Sequence, residues 1–263
     1  MPELQLIRRT LATTGAVLLC ISTLASAGTL EEQRTAFRDV YPAVERGEWE
    51  PARAREALLR DYVLWPDLRA TWLRANLDHA AVEIREFLAE HGMLKPAREL
   101  RYGFALHLAA EEHFPEYLEL YRRWYKGLGI AKLDCLALHA EILQGGNENV
   151  AIRGRELWLT GRSQVDECDP VFDYLRGAGI LDELLHQERF ELAVSERQFS
   201  LARYLARSLA DGRYLDEANG WLAAQNSPHD FLLEAKPGGN DTHREQLTYA
   251  IEQLSYSDAE LAA

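Results

Sequence analysis

Little in this chain can carry redox, metal or nucleotide chemistry. Three cysteines and eight histidines stand in 263 residues. No two cysteines form a C-x-x-C pair and no histidines form H-E-x-x-H, so neither a metal nor a cofactor is expected. Glycine-rich phosphate loops are absent, and so is the G-x-S-x-G turn of hydrolase nucleophiles. No sustained alternation of apolar and polar residues occurs, which argues against strands. Basic excess is missing as well. The formal charge is −13, the opposite of what a nucleic-acid partner attracts. Beyond residue 27 no apolar run is long enough to span a bilayer.

What is present begins with an export signature. Arg8 and Arg9 open the chain with positive charge, Leu11 to Leu24 is an apolar run, and Ala25-Ser26-Ala27 supplies an A-x-A cleavage pattern. We read 1–27 as a secretory signal, cut between Ala27 and Gly28. The run is short for a membrane anchor. Cys20 follows Leu19 inside it and leaves with it. Removing Glu3, Arg8 and Arg9, a net +1, takes the formal charge from −13 to about −14. The remaining Cys135 and Cys168 are an even pair in an oxidising compartment, which suits a disulfide across 33 residues. Two buried free thiols are the alternative. With 47% hydrophobic and 27% charged residues, the remainder can bury a core.

Helical periodicity runs through that remainder. Ala80, Ile84, Phe87 and Leu88 follow i, i+4, i+7, i+8, behind Asp78 as an N-cap. Tyr117, Tyr121, Trp124 and Tyr125 repeat the spacing after Pro115. Val150, Gly154, Leu157 and Trp158 do so again, as do Tyr214, Ala218, Trp221 and Leu222. Each set forms one apolar stripe that needs a partner. The small Gly154 and Ala218 should let neighbouring helices approach closely. Gly and Pro punctuation at intervals of about ten to twenty residues keeps the helices short. Asp169-Pro170 reads as an N-cap and first-turn proline, so a helix should start directly after Cys168. Short antiparallel helix pairs in series predict an all-α solenoid, a superhelical stack, over 28–263. The surroundings of Trp158 and Trp221 look alike, without giving a strict repeat period.

Candidate chemistry is thin. His107 and His113 fall on different helix faces, and His139 belongs to a helix over Leu136–Leu143. Glu31-Glu32 and Glu111-Glu112 read as solvated charge pairs on helices. The stripe Tyr117, Tyr121, Trp124, Tyr125 is either a packed face or a platform for sugar rings. No catalytic residue is assigned.

One stretch carries a resemblance. Glu156-Leu157-Trp158-Leu159-Thr160-Gly161-Arg162-Ser163-Gln164, followed by Cys168-Asp169, is similar to the K-E-L-W-L-T-G-x-S-Q segment and cysteine of the large soluble lytic transglycosylases of the bacterial periplasm. Asp61-Tyr62, Leu64, Pro66 and Leu68 agree in register with that family, as do Pro96-Ala97-Arg98, Leu100, Phe104 and Leu108. Cys135 stands where the family has its other cysteine. The resemblance extends from about Leu30 to Leu232 and implies a U-shaped superhelical scaffold. In the family a separate lysozyme-like domain cuts peptidoglycan, using one glutamate as general acid and then base in an E-S-x-F motif. No Glu-Ser pair occurs anywhere in this sequence, and neither Met1 nor Met93 precedes a Gln, so no catalytic glutamate carries over.

At the other end, Thr242 to Leu254 predicts a helix with Leu247, Ala250, Ile251 and Leu254 as its stripe. Ser257 to Ala263 predicts the start of another, which suggests a truncated product. The expected function is that of a periplasmic, non-catalytic scaffold in peptidoglycan turnover. Its partners would be peptidoglycan or cell-wall enzymes, not nucleic acid. The alternatives are a free-standing helical-repeat adaptor for cell-wall proteins, or an enzyme using an unrecognised carboxylate pair.

Overall fold

Thr29 caps the first described helix reciprocally. Its Oγ1 accepts from the Glu32 amide at 3.3 Å, and the Glu32 carboxylate accepts from the Thr29 amide at 2.7 Å. That pair starts α1 (Leu30–Glu45) and gives Glu32 a structural task. The Thr29 backbone hydrogen bond holds the Glu32 carboxyl below its ordinary pKa. The computed structural model describes residues 28–146, 148–235 and 238–257. The signal segment 1–27, with Cys20 and Ala27, and the extension 258–263 lie outside the described residues. Gly28 is the first described residue.

All regular structure among the described residues is helical. The chain divides into two compact units, the first ending at Ala97 and the second starting at Arg98. In the first unit α1 packs on α2 (Glu50–Arg53), α3 (Glu56–Leu59) and α4 (Trp65–Ala75), and α4 also meets α5 (Ala81–His91). Val40, Val44, Leu59 and Leu68 are its buried centre. Arg69 lies over two indoles there, 4.9 Å from the Trp49 ring and 5.1 Å from that of Trp72. Burial lowers its guanidinium pKa.

The second unit holds most of α6 (Lys95–Ala110), then α7 (Phe114–Trp124), α8 (Ala131–Leu143), α9 (Glu148–Trp158) and a 3-10 turn at Asp166–Cys168. The turn leads into α10 (Asp169–Gly177), α11 (Glu183–Ser195), α12 (Phe199–Ala206), α13 (Arg213–Asn226), α14 (Pro228–Leu233) and α15 (Asp241–Ser257). Within this unit α7 meets α8, α8 meets α9, and α9 meets α10. Further on, α11 meets α12, α12 meets α13, and α13 meets both α14 and α15. These helices pack mainly on chain neighbours, which is the logic of an α-solenoid. Prolines stand in the first turns of α2, α4, α7, α10 and α14, where a missing amide donor costs nothing.

Most stripes lie where the periodicity puts them. Ile84, Phe87 and Leu88 are buried, as are Tyr214, Ala218, Trp221 and Leu222. Four local expectations shift. Helix α5 begins at Ala81 behind a buried Ala80, with Asp78 two residues further upstream. Helix α8 starts at Ala131 instead of Leu136, so Cys135 lies within it. Cys168, drawn into the 3-10 turn as its backbone N–H donates to Val165 O at 2.9 Å, takes the cap position of α10 and leaves Asp169 as the first helical residue. Glu111 and Glu112 form a turn after α6, with Glu112 at φ 57°.

The largest shift is in α15. Its buried face is Gln246, Tyr249, Ala250 and Leu254, while Ile251 is exposed. Gly220 explains the rotation. A Cβ at that position would come within 2.7 Å of the Gln246 amide, so the glycine opens a notch that accepts a polar side chain. Gln246 Nε2 donates to Glu217 O at 3.0 Å inside it. Helix α15 also runs through to Ser257 without the interruption expected ahead of that residue.

The aromatic stripe of α7 is a packed face. Tyr117, Tyr121 and Tyr125 are buried, and Trp124 is half-buried beneath Arg101, whose guanidinium lies 4.0 Å from its ring. Tyr117 donates its hydroxyl proton to Leu133 O at 2.7 Å, and Tyr121 donates to Asp134 at 2.6 Å. Burial, above all, raises both phenols well above their ordinary pKa of 10.0. Between pH 10 and the folded-state values the unfolded chain is the form that has lost protons. Stability is therefore full below pH 10 and falls as the pH rises further. Urea midpoints measured from pH 8 to pH 11 should show this alkaline slope, and Tyr117→Phe should flatten it while costing about 1 kcal/mol at neutral pH. Equal slopes in the two proteins would contradict the assignment.

Candidate functional site

The segment from Gly154 to Cys168 is held at both ends. At its start, α9 lies close to α10 because Gly154 has no side chain. A Cβ there would stand 2.9 Å from Leu175 Cδ1. The polar turn after Trp158 passes so near α11 that a Cβ on Gly161 would stand 2.5 Å from Leu192 O. Gln164 Nε2 donates back to Leu157 O at 2.8 Å and closes the turn. At its end, Cys168 is bonded to Cys135 of α8, with a Cα–Cα distance of 4.9 Å. Both sulfurs are fully buried. Lys132 and Glu167 form an ion pair at 2.6 Å across the same junction.

Trp158 and Arg189 meet at the middle of this frame. The Arg189 guanidinium lies 4.0 Å from the centre of the Trp158 ring and 5.6 Å from that of Phe172. Trp158 meets Phe172 edge to face at 5.0 Å and His186 at 5.2 Å. Arg189 is only 4% exposed. Its Nη2 donates to Arg162 O at 3.3 Å, whereas Arg189 Nε and Trp158 Nε1 have no hydrogen-bond partner. Burial pushes the Arg189 pKa down to about 10. Both side chains line a recess of about 350 Å³, with Ser163, Gln164, Asp169 and Tyr204 among the remaining walls.

Ion pairs occupy two other recesses. Arg153 pairs with Glu141 at 2.8 Å, and Arg197 reaches Glu252 at 3.5 Å in the larger groove beside Phe199, Trp221 and Tyr249. Nothing in the sequence around Arg189 marks it by motif. Trp158, Gly161, Ser163, Gln164 and Cys168, which carry the family resemblance, belong to the same frame.

The residues weighed for chemistry remain apart. His107 lies on α6 beside Phe104, His113 precedes α7, and His139 on α8 faces the Phe114 ring at 6.1 Å. Among the described residues no three His, Cys, Asp or Glu side chains come together in a way that could hold a metal ion. No helix of the described residues is long and apolar enough to cross a membrane.

Relatives are found by sequence and by fold. No family model matches the chain. It is 30% identical to the soluble lytic murein transglycosylase of Escherichia coli K12 over 251 residues, which cover 94% of this chain and 38% of that protein. The 70-kDa soluble lytic transglycosylase in complex with bulgecin A superposes with a TM-score of 0.68 at 27% identity, covering 89% of this chain and 38% of the other. An inactive mutant of the lytic transglycosylase Slt from Pseudomonas aeruginosa gives 0.66 at 25% identity, covering 86% and 36%. Over nearly its whole length, then, the chain is homologous to soluble lytic murein transglycosylases, and it spans 38% of the curated relatives it matches.

Proposed function

We propose that residues 28–263 form the helical scaffold portion of a periplasmic lytic transglycosylase-like protein in peptidoglycan turnover, and that they do not themselves cleave glycosidic bonds. The observation that carries this reading is the homology to murein transglycosylases over 94% of the chain, in a sequence without any Glu-Ser pair from which a catalytic glutamate could be assigned. Export with cleavage between Ala27 and Gly28 is part of the same proposal and supplies the oxidising compartment for Cys135 and Cys168. Short helices packed in series suit a scaffold because each buries surface mainly on its neighbours.

Two measurements on the purified, oxidised chain test this. On a murein zymogram it should clear no zone, and in a sedimentation assay it should be retained by isolated murein sacculi. Clearing would end the non-catalytic reading. Failure to be retained would end the murein-scaffold reading.

A further inference from the structure

Arg189 is a buried cation without a counter-charge. Of its five N–H donors, the fold engages one, and that bond to Arg162 O is 3.3 Å long. Its Nε–H has no acceptor, and no carboxylate of the described residues forms an ion pair with it. The Trp158 and Phe172 rings lie beneath the guanidinium and offset part of the desolvation cost. They cannot accept in-plane N–H bonds. Trp158 Nε1–H is a second buried donor without a partner, on a residue that lines the same recess. Two unpaired donors on residues that line one recess, one of them charged, describe half of a binding site.

We propose that this recess binds a carboxylate, with the planar edge of Arg189 as its principal anchor. Guanidinium matches carboxylate in a two-point geometry that an ammonium cannot reproduce. Asp169 is the acidic side chain on the wall, and it suits an amide N–H or ammonium next to the bound carboxylate. Ser163 and Gln164 add neutral polar contacts for a peptide unit. About 350 Å³ accommodates one or two amino-acid units rather than a glycan strand. Resting on the murein reading above, the ligand class is a peptide-bearing peptidoglycan fragment recognised at its peptide carboxylate. Recognition there would let the scaffold distinguish peptide-substituted from bare glycan.

The test is a titration of the full oxidised chain followed by NMR of the Trp158 indole and Arg189 Nε–H signals. N-acetylmuramyl-L-alanyl-D-isoglutamine, which carries a free carboxylate, should shift both signals saturably. Neutral chitotetraose should not. Arg189→Lys keeps the charge but loses the planar edge and should weaken binding about tenfold, which is the effect of losing about 1.4 kcal/mol. Ser163→Ala, at an exposed position that the fold does not depend on, should weaken it about threefold and serves if the lysine variant does not fold. Absence of saturable shifts, equal shifts with chitotetraose, or unchanged affinity in a folded variant would each overturn the proposal. Sacculi retention separates the two readings. A chain retained on murein without muropeptide shifts sinks the recess alone, and loss of both sinks the scaffold reading too.

Discussion

Trp158→Ala should destabilise the second unit by about 3–5 kcal/mol, the range for deleting a buried aromatic. The side chain is 4% exposed and touches three other groups at once. It meets Phe172 and His186 edge to face, and it carries the Arg189 guanidinium on its ring. Truncation therefore opens a cavity and also strips a buried cation of the surface that offsets its desolvation. Trp158→Phe keeps an aromatic face at that position and should recover about half the loss. Urea unfolding read by far-ultraviolet circular dichroism gives both values. A midpoint unchanged in the alanine protein would mean that Trp158 does not anchor the unit.

Opening the Cys135–Cys168 bond should cost about 4 kcal/mol. That is the chain-entropy value for a loop closed across 33 residues. The loop contains all of α9, the polar turn and the 3-10 turn, and its ends lie in α8 and at the start of α10. Without the bond, the unfolded chain regains the freedom of that whole segment. The Cys135→Ala/Cys168→Ala protein should show the loss as a lower urea midpoint, and wild type should drop to the same value in reductant. Thiol titration of denatured, unreduced material processed at Ala27 should find no free sulfhydryl. Two titratable thiols, or equal midpoints with and without reductant, would refute the assignment.

Helices were legible in the sequence where burial obeys the 3.6-residue period, and illegible where a polar residue takes a core position. Tyr117 and Tyr121, or Trp221 and Leu222, announce their face because large apolar groups recur on it and nothing competes. Gln246 gives no such signal. It is buried because Gly220, 26 positions earlier in the chain, leaves a notch and Glu217 offers a carbonyl there. Arg189 is the same case at the candidate site. Its place at four-residue spacing between the buried Leu185 and Ala193 was the available clue, since that spacing puts it on the inner face of α11. A charge on a helix is ordinarily read as solvated, and the indole that receives this one is 31 residues away in the sequence. The cysteines show the converse. Their even number, with the export expected from the signal pattern, pointed to the pairing, but the position of Cys135 inside α8 did not follow from either.

Arginine sits on indole in both units: Arg69 on Trp49 and Trp72, Arg101 on Trp124, and Arg189 on Trp158. The chain carries 25 arginines and only four lysines. A flat, weakly hydrated cation can lie against a ring, whereas a compact, strongly hydrated ammonium keeps its water. Exchanges that preserve formal charge at these three positions are therefore not conservative. A lineage drifting toward lysine would lose the lids over its tryptophans before any alteration in overall charge betrayed the change.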